Sequence, residues 1–485
     1  MLVFIHNKIN ILEKRIVRMY NNNIYKEEEF MRKYFETDGI RRIANTELSP
    51  NLVFRVAKAG AAVFSKHADH VPTIFIGRDT RISGTLIESA MIAGFLSYGA
   101  NVKTLGVIPT PAVAYLTKKY NADASVVISA SHNTFEFNGV KYFSNKGMKI
   151  PDTLEEEIEE IMDSDEKLSD LTAVAEKIGI AENAEDMIED YIDFIVGIFH
   201  ASITKNKNDD FKVLIDTANG ATYKVAEKIY KRLGINYTII NNNPNGVNIN
   251  DNCGSTHLEM LKKEVVEGKY RLGIAYDGDG DRCLAVTENG DEIDGDIMLA
   301  IASDYLKSKG KLEKDTLVAT VMSNLGLTKF TEKHGIELKQ TKVGDRYVLE
   351  EMLKNGYNIG GEQSGHIIFL DYNPTGDGIL TSLMLIRILL ETNQKPSDVR
   401  KMVDIYPQVL INAKVDNDKK YSYESDEEIK NAIKKVTDEF SGNGRVLIRP
   451  SGTEPLVRVM IEGKDQKIIT EKARELADLI ERKLK

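Results

Sequence analysis

Cysteine is nearly absent from this chain, with Cys253 and Cys283 alone among 485 residues. Two cysteines exclude a disulfide framework and fit a reducing compartment, and neither spacing suggests a zinc site. A surplus of positive charge is missing too, since 64 Lys and Arg stand against 74 Asp and Glu, a formal net charge of −10. No broad positive field is offered to nucleic acid, so an anionic ligand has to be met by local cationic groups. Long apolar runs are also lacking. Residues 2–5 are apolar, but His6, Lys8, Glu13, Lys14 and Arg15 interrupt any membrane span or signal-peptide core. The expectation is a soluble cytoplasmic protein with neither a nucleic-acid nor a membrane partner.

What is present is ordinary globular composition, 42% hydrophobic and 28% charged, enough apolar surface to fold. Single cores stop growing at roughly 250 to 300 residues, so 485 residues imply three or four domains. Residues 1–30 differ from the rest, with Asn21-Asn22-Asn23 and Glu27-Glu28-Glu29 ahead of Met31. They are expected to be an N-terminal extension outside the natural protein, which would start at Met31; a short helical extension is the alternative.

Three stretches share one local plan, a short apolar run entering a polar loop ahead of an amphipathic helical pattern. They are residues 73–76 into Gly77-Arg78-Asp79-Thr80-Arg81, Val213-Leu214-Ile215 into Asp216-Thr217-Ala218-Asn219-Gly220, and residues 317–321 into Ser323-Asn324. Their wide separation predicts three α/β domains, with structural repetition as a further expectation. The last eighty or so residues read as an α+β unit, closed by a helix whose Ile469, Ala473, Leu476, Ile480 and Leu484 form one apolar stripe. That stripe is core rather than function.

Four loops carry chemistry. Ser129-Ala130-Ser131-His132-Asn133 follows the buried-strand run Val126-Val127-Ile128; a serine at a strand end is presented to a cleft, yet no G-x-S-x-G elbow points to a hydrolase triad. Asp277-Gly278-Asp279-Gly280-Asp281-Arg282 concentrates carboxylates that a hard cation such as Mg²⁺ would compensate. A calcium EF-hand is excluded there, because Arg282 stands where that loop needs Gly and the flanks read as strands. Gly361-Glu362-Gln363-Ser364-Gly365-His366 offers the mixture of acceptor, amide, hydroxyl and imidazole that sugars call for, although alone it is a polar turn. Arg449-Pro450-Ser451-Gly452-Thr453-Glu454-Pro455, with Arg458 beyond, is a plausible phosphate cradle, against which stands plain Arg pairing with Glu454.

Together and in this order, these four motifs resemble the α-D-phosphohexomutase superfamily over residues 31–485. Their wording, with Met31-Arg32-Lys33-Tyr34-Phe35, is most similar to the bacterial branch acting on glucosamine phosphates; the branch acting on mannose and glucose phosphates is the alternative, and a noncatalytic sugar-phosphate sensor a more distant one. The resemblance implies an α/β architecture of three related mixed α/β domains plus a smaller C-terminal α+β domain around a central cleft. These would be a phosphoserine domain (31–185), a metal-binding domain (186–290), a sugar-recognition domain (291–403) and a phosphate-binding C-terminal domain (404–485). Ser131 would carry the phosphoryl group, and Ser131, Asp277, Asp279 and Asp281 would hold one Mg²⁺. His132, Lys141, Arg41 and His366 would serve catalysis, with the general base unassigned among the candidates. Arg282, Glu362, Ser364, Arg449, Ser451, Gly452, Thr453 and Arg458 would bind the sugar-phosphate substrate.

The implied intramolecular phosphotransfer converts glucosamine 6-phosphate to glucosamine 1-phosphate through a phosphoserine and a hexose 1,6-bisphosphate, supplying amino-sugar and peptidoglycan precursors; the protein would be a monomer or homodimer. Glu36 and Arg42 stand where glycines usually flank the segment ending at Arg41, and Thr134 and Phe137 where Pro and Asp are usual. Replacing Gly can exclude positive φ or close backbone approach, so these departures bear on how Arg41 is placed.

Overall fold

Strands β1 (Ile40–Ile43), β2 (Thr73–Arg78), β3 (Asn101–Val107), β4 (Ala124–Ile128), β5 (Phe137–Ser144) and β6 (Ala181–Asn183) form one sheet in the order β1-β5-β4-β2-β3-β6. Both β3 and β4 run parallel to β2, and β5 returns antiparallel to β4. The second sheet repeats this plan. Its strands β7 (Lys212–Asp216), β8 (Asn236–Ile240), β9 (Leu272–Tyr276), β10 (Cys283–Thr287) and β11 (Glu292–Ile293) are ordered β11-β10-β9-β7-β8, with β8 and β9 parallel to β7 and β10 antiparallel to β9. The third, from β12 (Thr316–Thr320), β13 (Glu337–Thr341), β14 (Ile359–Gly361) and β15 (Ile367–Phe369), has the order β13-β12-β14-β15 and the same directions. The computed structural model describes residues 33–485 apart from 37, 67, 207, 441, 452 and 453. The expected N-terminal extension and the start at Met31 therefore lie outside the described residues.

The shared plan has a consequence for function. The serine loop joins β4 to β5, the aspartate loop joins β9 to β10, and the Glu362 loop joins β14 to β15. All three are the same hairpin of the repeated unit, at the carboxyl ends of its parallel strands, where open α/β sheets place their ligands.

The fourth unit is antiparallel, with β16 (Gln408–Lys414), β17 (Gly444–Pro450) and β18 (Leu456–Gly463) in the order β16-β18-β17. Its closing helix, Gln466–Leu484, starts where Asp465 accepts hydrogen bonds from the N–H groups of Lys467 and Ile468, satisfying two of the free donors of the first turn. The stripe Ile469, Ala473, Leu476, Ile480 and Leu484 is buried, as its spacing predicts.

One continuous apolar core runs through the first three units, from Phe75 and Val127 through Ile215 and Tyr276 to Leu317 and Ile386. The fourth has a core of its own, built on Val457, Val459, Ile469 and Leu476. It meets the third through polar contacts, among them Arg445 donating to the carbonyls of Val321 (3.1 Å) and Ser323 (2.8 Å), and Glu462 accepting from Leu325 N–H (3.2 Å). Pro396–Arg400, a short helix near the expected third boundary, is packed rather than a linker: Ser397 donates to Glu288 through its backbone N–H and its hydroxyl. Among the described residues no helix is long and apolar enough to cross a membrane.

Candidate active site

Ser131 is held in the left-handed region, φ 50°, a conformation that costs a non-glycine residue of order 1–3 kcal/mol and persists only where its surroundings over-determine it. Here they do. Arg81, fully buried and paired with Asp79 at 2.9 Å, donates to the carbonyls of Ser131 (3.0 Å), Asn133 (2.8 Å) and Phe137 (3.0 Å) and to that of Thr134. Asn250 Nδ2 donates to Ser131 O (2.9 Å) and Asn133 O (2.8 Å) from the second unit. Ser129 completes the turn, donating to Asp79 at 2.6 Å and accepting from Ser131 N–H at 2.9 Å.

The turn delivers Ser131 Oγ to the aspartate loop, where it donates to Asp277 Oδ2 at 2.7 Å. Close approach of the two loops requires Gly278, because a Cβ there would lie 2.5 Å from Ser131 O. Asp277, Asp279 and Asp281, all buried, place carboxylate oxygens within 4.8 Å of one another, the only such group of three among the described residues. Asp277 Oδ1 accepts the N–H groups of Gly280 and Arg282, each at 3.1 Å. Thr110 donates to Asp279 Oδ2 at 2.7 Å, which also takes Lys141 Nζ at 3.1 Å. Asp279 Oδ1 and Asp281 Oδ1 are buried without a hydrogen-bond partner among the described residues. Burial and the neighbouring Asp281 and Asp279 push the Asp277 carboxyl well above its ordinary range. Clustered carboxylate oxygens, two of them without a hydrogen-bond partner among the described residues, beside a hydroxyl form a donor set suited to a hard divalent cation.

Around this cluster the expected catalytic side chains converge. Lys141, buried, bridges Asp279 and Asp38, at 3.1 Å each; burial opposes its charge, but those two carboxylates prevail and hold it an ammonium. Arg41 donates to Asp38 (2.7 Å) and Asn133 (3.2 Å). Glu36 and Arg42, the two departures from glycine, pair with each other, so the changed side chains compensate one another beside Arg41. At the other departure, Phe137 N–H donates to Thr134 O at 3.2 Å and Arg81 gathers both carbonyls. His132 Nδ1 lies 3.4 Å from Ser131 Oγ and accepts from Arg282 at 3.2 Å. Burial, with Arg282 and Arg41, lowers its pKa to about 4, which leaves a neutral imidazole near pH 7.

His366 sits between Asp281 (3.6 Å from Nδ1) and Asp345 (3.5 Å from Nε2), and Nε2 accepts Gly376 N–H at 3.0 Å. Burial lowers its pKa, but the two carboxylates outweigh that and the net shift is upward. Glu362 accepts from Gly344 N–H at 3.1 Å, with its pKa raised by burial, and Ser364 Oγ is buried without a hydrogen-bond partner among the described residues. These two side chains stand with open hydrogen-bonding capacity beside His366.

Arg449 and Arg458 face each other directly across β17 and β18. Like charges opposite one another destabilise a sheet, and Arg449 is further depressed by burial and by Arg458. The Nε groups of both are buried and unpartnered among the described residues. Arg458 also pairs with Glu454 at 3.2 Å, so the plain Arg–Glu reading holds for one arginine only. Ser451 accepts from Glu454 N–H at 3.2 Å. Gly452 and Thr453 lie outside the described residues. No hydrogen bond or ion pair among the described residues joins Arg449, Ser451 or Arg458 to the serine–aspartate cluster.

Four models of one family match the chain in order: phosphoglucomutase/phosphomannomutase alpha/beta/alpha domain I over residues 32–169, domain II over 189–290, domain III over 294–406 and the C-terminal domain over 410–479. The chain belongs to the phosphoglucomutase/phosphomannomutase family. It is 52% identical to a phosphoglucosamine mutase of Ruminiclostridium cellulolyticum over 455 residues, 94% of this chain and 100% of that protein. Identity to a phosphoglucosamine mutase of Clostridium acetobutylicum is also 52%, over 93% of this chain and 100% of that one. A solved phosphoglucomutase/phosphomannomutase family protein from Burkholderia thailandensis shares the fold at 20% identity, with a TM-score of 0.75, covering 92% of this chain and 97% of that one. Family membership makes this chain an enzyme of the phosphohexomutase class.

Several residues that build the site carry little signal of their own in the sequence. Arg81 and Asp79 stand in a loop whose pattern predicts only a βα turn, and Asn250 stands in an Asn-rich stretch. Thr110 reaches Asp279 across 169 positions, and Lys149 of the first unit ties Asp38 to Asp345 of the third. Only the Asp79-Thr80-Arg81 charge pair offered a local hint.

Proposed function

We propose that this enzyme interconverts glucosamine 6-phosphate and glucosamine 1-phosphate by phosphoryl transfer through Ser131, in the cytoplasm. The observation that carries the reading is Ser131 Oγ at 2.7 Å from Asp277, in a strained turn that aims one hydroxyl at a carboxylate triad. The amino sugar is favoured by the 52% identical relatives named phosphoglucosamine mutase, and the compartment by two free, buried cysteines.

In this reading Ser131, Asp277, Asp279 and Asp281 hold Mg²⁺, which supplies Lewis-acid stabilisation of the charge on the phosphoryl oxygens. Lys141 remains an ammonium and offsets further charge without acting as a base. Neutral His132, whose Nδ1 lies beside Ser131 Oγ and faces Arg282, serves as a hydrogen-bonding partner there rather than as the base, since its pKa of about 4 lies far below the working pH. Glu362 and Ser364 orient the sugar, and Arg449 and Arg458 receive the phosphate that is not reacting. The phosphoryl group passes from Ser131 to glucosamine 6-phosphate; the 1,6-bisphosphate turns over, and its 6-phosphoryl group returns to Ser131.

The test is an isomerase assay with Mg²⁺ and catalytic hexose 1,6-bisphosphate, comparing glucosamine 6-phosphate with mannose and glucose phosphates, beside Ser131→Ala. Preference for the amino sugar, lost in the variant, is expected. Preference for a neutral hexose would reassign the substrate, and full activity of the variant would overturn the reading.

A further inference from the structure

Two glycines behind the site are not explained by their backbone. Gly376 and Gly378 both have φ values open to any residue, since neither is among the positive-φ glycines. Yet a Cβ on Gly376 would lie 2.6 Å from the ring atoms of His366, and one on Gly378 would lie 2.5 Å from Arg282 O and 3.0 Å from Gly280 O. The hydrogen bonds point the same way. Gly376 N–H donates to His366 Nε2 at 3.0 Å, and Gly378 N–H donates to Gly280 O, within the aspartate loop, at 3.0 Å.

The side chains between and before these glycines fix the segment from three directions. Asp377 Oδ1 caps the helix Gly378–Thr392 through Leu380 N–H at 3.0 Å, and both its oxygens accept Tyr191 OH at 2.9 Å. A helix cap needs one oxygen; the other is also committed to Asn373 Nδ2, at 3.3 Å. Asn373 Nδ2 donates in addition to Pro111 O at 3.1 Å. Pro111 follows Thr110, whose N–H and hydroxyl both donate to Asp279, at 2.9 and 2.7 Å.

We propose that residues 373–378 are a positioning element of the active site, a pedestal that sets His366, the aspartate loop and the Thr110 turn in one register. Thr110 belongs to the first unit, the aspartate loop to the second and His366 to the third, so the pedestal aligns contributions from all three through short, direct contacts. It touches no reacting atom. This inference deepens the proposed phosphotransfer and rests on that reading for its consequence in activity, though not for its consequence in metal binding.

The experiment is a double-mutant cycle of Gly376→Ala and His366→Ala on the full chain, with Gly378→Ala alone and Gly197→Ala, a helical glycine with nothing within 4 Å, as control. Three quantities are read: metal-free melting temperature, affinity for Mg²⁺ alone by calorimetry, and kcat against KM for glucosamine 6-phosphate. Gly376→Ala is expected to lower the melting temperature and to weaken Mg²⁺ binding and kcat at least tenfold when His366 is present, with a smaller effect on KM. In the His366→Ala background, where the ring is gone, it should change each by less than twofold. Gly378→Ala, which meets Arg282 O, should weaken Mg²⁺ binding by itself, and Gly197→Ala should leave Mg²⁺ affinity and the kinetic constants as they are while raising the melting temperature slightly, as Ala replaces Gly within a helix. Equal losses from Gly376→Ala in both backgrounds, or a folded Gly378→Ala protein with unchanged Mg²⁺ affinity, would overturn the proposal. If unmodified protein isomerises no sugar phosphate while the Mg²⁺ cycle behaves as expected, the functional reading fails and the pedestal stands.

Discussion

Asp277→Asn should stabilise the metal-free protein while removing its response to Mg²⁺. Two unit charges 4.8 Å apart, the outer spacing within the triad, repel by roughly 3–4 kcal/mol at an effective dielectric constant of ~20. Lys141 answers Asp279 at 3.1 Å, and Nδ1 of His366 faces Asp281 at 3.6 Å as a hydrogen-bond donor. Asp281 is accordingly held below its ordinary range, whereas Asp277 is driven above it. The residual repulsion therefore falls on Asp277. Asn is isosteric and keeps one oxygen for the N–H groups of Gly280 and Arg282, while its amide can donate to Ser131 Oγ in place of the bond that Asp277 Oδ2 accepts. The net gain without metal is expected at about 1–3 kcal/mol after the cationic offsets, a rise in melting temperature of several degrees.

The sign with pH follows from the raised carboxyl. A group whose folded pKa lies above its unfolded value contributes stability that is present at low pH and lost as pH climbs above the unfolded value of 3.8. The advantage of Asp277→Asn should therefore grow as pH rises from about 4. With Mg²⁺ at a hundred times its dissociation constant the parent gains about 2.7 kcal/mol by linkage, and the variant should gain little. Scanning calorimetry in chelator and in Mg²⁺, at two pH values, should thus show the order of melting temperatures reversing. A variant less stable than the parent in chelator, with an undiminished Mg²⁺ shift, would refute the electrostatic account of the triad.

Ser131→Ala should abolish isomerase activity and any phosphate carried by the protein, read by intact mass; retention of either places the phosphoryl group elsewhere. Arg449→Ala should raise KM for the sugar phosphate by roughly 10- to 100-fold, the worth of a charge-assisted hydrogen bond of about 1.5–3 kcal/mol. It should leave ligand-free stability the same or slightly higher, because Arg449 faces the like charge of Arg458; an unchanged KM removes Arg449 from the phosphate site. Asp296 has its pKa pushed up to about 8 by burial and by Asp294, so its stabilising contribution fades as pH rises from about 4 to about 8. The melting temperature of Asp296→Asn relative to the parent should therefore improve across that window, and a pH-independent difference would exclude the buried carboxyl as the cause.

The legible parts of this protein were those written locally. The stripe of the closing helix and the β-branched runs ahead of each loop depend on periodicity, and Asp277-Gly278-Asp279-Gly280-Asp281 on adjacent residues. The pairing of Glu36 with Arg42 was not legible, although both departures were visible, because it depends on the local bridge between Glu36 and Gly39, which no periodicity of the segment announces. The same holds for Arg81, four of whose hydrogen bonds serve a turn some fifty residues away, and for the pedestal, whose glycines answer to His366 and Arg282 rather than to their own φ. Residues that make a site touch it; residues that hold it are chosen by neighbours the chain has yet to meet.

The division of cores bears on the proposed chemistry. Ser131, the aspartates and the side chains of Glu362 and Ser364 sit on one repeated hairpin in three units that share a continuous core, so their mutual distances are set by close packing, which yields little to strain. Phosphoryl transfer is mostly positioning and electrostatics, and such a frame supplies both. The fourth unit carries Arg449 and Arg458 on a separate core, attached near Arg445, Glu462 and Asn324 by polar contacts. In the proposed cycle the reacting end must meet the same Ser131 twice, while the other end is first a 6-phosphate and then a 1-phosphate, at different reaches. A phosphate grip that does not share the core of the catalytic frame can accommodate both reaches without moving Ser131 from Asp277. Tightening that joint with a disulfide across the third and fourth units should then slow turnover of the bisphosphate while leaving phosphoryl exchange at Ser131 intact, and rapid-quench measurement of the two steps would separate them; equal slowing of both would place the joint within the catalytic frame itself.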